Sequence, residues 1–142
     1  ADHKSLDWVN VGDSRLYTLK NKQLSQETHD QTMANALVES GHLSPEEVAS
    51  HPRRNTLQYC LGVERQDRPL HVQTGSVAWT TGDKILLCSD GLSDMVSDGL
   101  IEDCMNYTSG EDTVFELVRL ALSNGGRDNI TLVVLENAYG VE

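Results

Sequence analysis

Ile85-Leu86-Leu87-Cys88-Ser89-Asp90-Gly91-Leu92-Ser93-Asp94 is the stretch on which the reading of this chain turns. Four consecutive apolar residues, too few for a helix, run into a polar turn. Such a run reads as a strand covered on both faces. It stops abruptly at Ser89-Asp90-Gly91, and Leu92 to Val96 then reads as a short helical piece. A second stretch has the opposite order: Gly125-Gly126-Arg127-Asp128-Asn129 opens the apolar run Ile130 to Leu135, read as a final buried strand. Asp90 therefore follows the end of one apolar strand, and Asp128 precedes the start of another. If these strands are antiparallel neighbours, both carboxylates stand at one edge of a sheet. Parallel pairing would put them at opposite ends.

Working outward, Trp8, Val9 and Val11 form a β-prone run that ends at Gly12-Asp13-Ser14, which reads as a hairpin turn. Arg15 to Leu19 is a second run, Lys20-Asn21-Lys22 closes a hairpin, and Leu24 to Glu27 continues the meander. Leu70 to Thr74 and Val77 to Thr80 read as two short strands, followed by a turn at Gly82-Asp83. Met33, Ala36, Leu37 and Ser40 follow helical spacing, with Gly41 as the stop. Ser44-Pro45-Glu46-Glu47 has the form of a capping box with Pro at the first helical position, and His51-Pro52 ends that helix. Ser97 to Tyr107 and Glu111 to Ser123 complete the helices. Ser109 is the expected cap of the last one, and Val114, Leu117, Val118, Ala121 and Leu122 are its core stripe. Residues 30–61, two short helices with a polar surface, read as a flap-like excursion from a sheet core within a single domain covering 1–142.

The chain has 142 residues, with 11 Lys+Arg against 22 Asp+Glu and a net charge of −11. That length fits one domain with a sizeable core. No apolar run reaches the ~18 residues of a membrane helix. The acidity excludes an electrostatic footprint for nucleic acid or an anionic bilayer. Cys60, Cys88 and Cys104 form no CxxC pair, which fits a reducing compartment, and Cys88 reads as a small core hydrophobe. The five histidines are scattered without metal-ligand spacing, and Ser14 lacks the frame of a nucleophile turn. Ala1 leads almost directly into a strand-like run, so the chain is expected to be the C-terminal part of a longer polypeptide.

Carboxylates that converge at a strand edge suit hard cations. Mg²⁺ and Mn²⁺ prefer oxygen ligands and keep several waters beside one or two carboxylates. Asp90 and Asp128 are the primary candidates, with Asp30 and Asp94 as further ones. The competing reading makes Asp90 and Asp94 turn and cap residues and Asp128 an Asx-turn former.

Taken together, Val11-Gly12-Asp13-Ser14-Arg15, Thr28-His29-Asp30, Leu37-Val38-Glu39-Ser40-Gly41, His51-Pro52-Arg53-Arg54-Asn55 with Leu61-Gly62, and the two Asp-bearing stretches around Asp90 and Asp128 resemble, in order and spacing, the metal-dependent protein phosphatase family (PPM, type 2C), in its bacterial style. The match runs from about Trp8 to Leu135. The resemblance implies an α+β fold, an antiparallel β-sandwich flanked by helices (αββα) with its N-terminal part missing. It implies a protein serine/threonine phosphatase that uses two Mn²⁺ or Mg²⁺ ions, with a third in bacterial members. Asp90 and Asp128 would be metal ligands, Asp30 would sit at the third ion with Asp94 near it, and Asn129 would orient Asp128. Arg53 and Arg54 in the flap would meet the phosphoprotein. The implied partners are a phosphorylated protein and a cognate Ser/Thr kinase, in the cytoplasm.

The departures also matter. The family's first metal-binding acid, its phosphate-binding arginine and its Asp-Gly-rich metal turn are absent, and Gln31 stands where the family commonly has His. These residues alone are therefore expected to be poorly active. The non-enzyme alternative is a pseudophosphatase or regulatory binding module that keeps the fold.

Overall fold

A computed structural model describes residues 4–62 and 69–138. Its strands are β1 (Lys4–Asn10), β2 (Arg15–Lys20), β3 (Gln23–Gln26), β4 (Gln73–Trp79), β5 (Lys84–Cys88) and β6 (Leu132–Glu136). Its helices are α1 (Met33–Glu39), α2 (Asp90–Ser93), α3 (Asp98–Tyr107) and α4 (Glu111–Ser123), with a 3₁₀ helix at Pro45–Ser50. The strands form two antiparallel sheets, one with order β1-β4 and one with order β3-β2-β5-β6. The chain is α+β, as expected.

Local chemistry explains the corners. Asn21 and Lys22 take φ of +50° and +67°, and Lys20 pairs with Gln23, so a two-residue turn of the kind that matches strand twist joins β2 to β3. Thr32 caps α1 by accepting from the Asn35 N–H at 3.3 Å. At the 3₁₀ helix, the Glu47 carboxylate accepts from both the Ser44 N–H (2.9 Å) and the Ser44 hydroxyl (2.8 Å).

Two cores result. The larger lies between the four-stranded sheet and the helices, where Tyr17, Leu19, Leu86, Cys88, Leu92, Val96, Ile101, Met105, Leu117 and Ala121 are buried. The smaller lies between the sheets and consists of Leu16, Val77 and Ile85, flanked by Leu6, Trp8 and Trp79. The layers are therefore small sheet, large sheet and helices.

Several expectations need correction. Gly12-Asp13-Ser14 is not a hairpin turn, because β1 pairs with β4 while β2 pairs with β3 and β5. It is the corner where the chain crosses between sheets, and Gly12 makes it with φ +111°. The segments 70–74 and 77–80 are one strand, β4, which begins only at Gln73. Gly110, not Ser109, caps α4, with φ +56° and no side-chain cap bond. In the α4 stripe Leu117 and Ala121 are core, but Leu122 is exposed. Neither β5 nor β6 is sealed on both faces: Leu87 is 41% exposed and Val133 48%. Their side chains face the two-stranded sheet, which is too narrow to cover them.

Candidate metal centre

The pairing that decides the site is β5 with β6. It is antiparallel, with Cys88 opposite Leu132. Asp90, two residues past Cys88, and Asp128, four residues before Leu132, therefore share one sheet edge. Ser89 stitches the two ends together. Its N–H donates to the Thr131 carbonyl (3.0 Å), its hydroxyl donates to the Asn129 carbonyl (3.1 Å), and its Oγ accepts from the Thr131 N–H (3.1 Å). Gly91 closes the gap: a Cβ there would lie 2.2 Å from the Asn129 carbonyl oxygen. Only a residue without a side chain lets the start of α2 approach the Asp128 loop this closely.

Asp90 is the first residue of α2, and Asp94 follows one turn later, donating its N–H to the Asp90 carbonyl at 2.8 Å. The Asn129 backbone N–H donates to Asp128 Oδ1 at 2.7 Å. Burial, then the charges of Asp128 and Asp94, push the Asp90 carboxyl above its ordinary value. Asp13 behaves alike, raised first by burial, then by Asp90, with smaller contributions from Asp30 and Asp94. Asp13 is therefore within electrostatic reach of Asp90, which the sequence reading missed by treating it as a turn residue. The available signal was an acid directly after a strand-ending glycine. Gln31 holds that corner, with its side-chain oxygen accepting from the Gly12 N–H at 2.8 Å.

A cleft of about 180 Å³ is lined by Arg54, Asn55, Asp90, Asp94, Arg127 and Asp128. The segment 30–61 reaches it through Asn55, which donates to Asp94 Oδ2 at 2.7 Å, and through Arg54, 3.8 Å from the same carboxylate. Arg53, by contrast, does not line the cleft; it is exposed, and its N–H donates to His51 Nδ1. Asp30 is engaged elsewhere as well. Its carboxylate accepts from Arg15 Nη2 at 2.6 Å and from Nε at 2.9 and 3.1 Å, and from Gln26 at 3.1 Å. Arg15 also donates to the Tyr17 hydroxyl (2.8 Å), which donates to Asp98 (2.9 Å). Asp30 thus anchors the start of the segment 30–61 to β2, and its oxygens are committed to Arg15 and Gln26. Cys88, beside the site, is buried in the core, and that burial pushes its thiol up to about 12.

These donors suit a hard cation. They are all oxygen, and the mutual repulsion that raises Asp90 is what a divalent ion would relieve. Among the described residues, however, no three His, Cys, Asp or Glu side chains converge closely enough to hold an ion by themselves. A cation here would need further ligands or waters.

No protein-family model matches the chain. Over 131 residues it is 39% identical to the serine/threonine protein phosphatase PstP of Mycobacterium tuberculosis, covering 92% of this chain and 25% of that protein. Over 129 residues it is 41% identical to the serine/threonine phosphatase stp of Listeria welshimeri, covering 90% of this chain and 50% of that protein. The crystal structure of the M. tuberculosis phosphatase superposes with a TM-score of 0.85 at 37% identity, covering 95% of this chain and 56% of that one. Over about nine-tenths of its length the chain is similar to these bacterial serine/threonine protein phosphatases. A structure of the PstP catalytic domain in complex with two manganese ions matches with a TM-score of 0.73 at 36% identity, covering 94% of this chain and 54% of that one. The chain thus spans a quarter to a half of the length of these phosphatase relatives.

Proposed function

We propose that this chain supplies part of the active centre of a protein serine/threonine phosphatase that hydrolyses phosphoserine and phosphothreonine with a metal-activated water. The observation that supports this is the antiparallel pairing of β5 and β6, which brings Asp90 and Asp128 to one edge in a cleft that also holds two arginines. Asp90 and Asp128 would hold Mn²⁺ or Mg²⁺, with Asp94 and Asp13 beside them. When bound, such an ion supplies charge neutralisation and a water nucleophilic at neutral pH.

The chain's own residues do the rest. Ser89 and Gly91 fix the separation of the two carboxylate-bearing loops. Arg54 and Arg127 put positive charge on the cleft wall, where a phosphate dianion needs it, because the net charge of −11 repels such a substrate at long range. Asn55 and Arg54 hold the flap segment against Asp94, so residues 30–61 stand where a substrate protein would enter. Asp30 serves as the anchor of that flap. The substrate is a phosphorylated protein, opposed by a cognate Ser/Thr kinase, in the cytoplasm. Among the described residues no helix is long and apolar enough to cross a membrane.

The test is Mn²⁺-dependent phosphate release from a phosphothreonine peptide by the longer polypeptide that carries this chain. Asp90→Asn is expected to lower turnover by more than ~100-fold, beyond what groups outside the metal's own ligands usually cost. No turnover at millimolar Mn²⁺, or turnover indifferent to Asp90→Asn, would favour a pseudophosphatase instead.

A further inference from the structure

On the side of the helical layer away from the sheet, α3 and α4 leave a groove of about 590 Å³. Leu100, Asp103 and Tyr107 of α3 line it at helical spacing, as do Asp112, Phe115 and Glu116 of α4. Its apolar content is exposed: Tyr107 is 86% accessible and Phe115 70%. Phe115 is the only phenylalanine in the chain. The core is already filled by Tyr17 with Leu, Ile, Val and Met side chains, so core packing does not explain two aromatic side chains, Tyr107 and Phe115, set in solvent. The rim is acidic, with Asp103, Asp112 and Glu116 along both helices. Arg119, the cation that lines the groove, is tied to Glu116 (Nε to Oε2, 2.8 Å) and brings no free positive charge.

We propose that this groove is the docking site for a cationic amphipathic helix of a protein partner. Its apolar face would seat against Tyr107 and Phe115, and its Lys or Arg side chains would meet Asp103 and Asp112. Apolar stripes on two adjacent helices are the geometry into which a third helix packs. The charge selects among occupants. A second copy would bring the same acids face to face in a chain of net −11, and an anionic bilayer is repelled for the same reason. None of these residues lines the carboxylate cleft, so docking is separable from the phosphatase reading.

The test uses the intact protein and a fluorescein-labelled helical peptide of Leu and Lys, with Leu at alternating three- and four-residue spacing. A twin peptide with Glu for Lys is the control. Anisotropy is expected to show the Lys peptide binding at least about tenfold tighter than the Glu peptide. Phe115→Ala, and separately Asp103→Lys with Asp112→Lys, should each weaken it by about tenfold or more. Phe115→Ala should leave hydrolysis of p-nitrophenyl phosphate and the circular-dichroism spectrum unchanged. Equal binding of the two peptides, or binding indifferent to these substitutions, would overturn the proposal. So would a dimer in sedimentation that Phe115→Ala dissolves, or Phe115-dependent binding to phosphatidylglycerol vesicles.

Discussion

On the side of the four-stranded sheet that meets α3 and α4, Tyr17, Leu86, Ile101, Met105 and Leu117 are sealed from solvent; on the side that meets β1 and β4, Leu87 and Val133 are 41% and 48% exposed. The same strands, β5 and β6, carry both faces. A cleft of about 290 Å³ opens on the second side, lined by Trp8, Val9, Leu87 and Val133 among others. The difference teaches where the site gets its rigidity. Leu92 and Val96, just after Asp90, are buried in the helical core. The carboxylate-bearing end of β5 is therefore held from the helical side, while the inter-sheet side has more apolar width than two strands can cover.

Unfolding in urea breaks or sharpens this contrast most strongly. Leu117→Ala should cost about 2–5 kcal/mol, as deleting a sealed core side chain does. Val133→Ala should cost less than about 1 kcal/mol, because half of that side chain is already wet. Equal costs would break the contrast. Next in size is the anchor outside both faces. Asp30→Asn removes the charge that Arg15 grips and should cost about 1–3 kcal/mol, while leaving Mn²⁺ affinity unchanged in a calorimetric titration. A lost Mn²⁺ signal would return Asp30 to the metal site. Ser89→Ala removes the hydroxyl that bridges the two strand ends. It should cost about 0.5–1.5 kcal/mol and lower Mn²⁺ affinity about tenfold, as loss of a supporting contact does. The smallest effect concerns the 3₁₀ helix at Pro45–Ser50. The Ser44 N–H and hydroxyl hold the Glu47 carboxyl below its ordinary value. A carboxyl lowered on folding stabilises above its unfolded value and loses that contribution as pH falls through the lowered one. Amide exchange at residues 45–50 should therefore show lost protection at acid pH in the wild type and none to lose in Glu47→Gln.

Much of this was legible in the sequence, for local reasons. The apolar run ending at Cys88 and the run opening after Asn129 specify strands whose polar ends must meet water, and the requirement that they be antiparallel was stated by chemistry alone. The cap at Ser44, the stop at Gly41 and the turn at Asn21 follow from residues whose backbone preferences are strong. What was not legible depended on partners distant in sequence. The corner at Gly12 looks like a hairpin turn unless one knows that β1 pairs with β4. Asp13 feels the charge of Asp90 from a corner that Gln31 holds through the Gly12 N–H. Asp30 looked like a metal ligand by motif, yet a bidentate arginine on β2 claims it, and no local pattern reveals such a pairing. The half-covered face was equally hidden, because an apolar strand reads the same whether its cover is wide or narrow.

The most direct test of the central claim is calorimetric titration of Mn²⁺ into the 142-residue chain, beside its Asp90→Asn and Asp128→Asn variants. Weak, saturable binding in the wild type that vanishes in both variants is the predicted result. Binding that survives either substitution would contradict it, because the two carboxylates would then not act on a common ion.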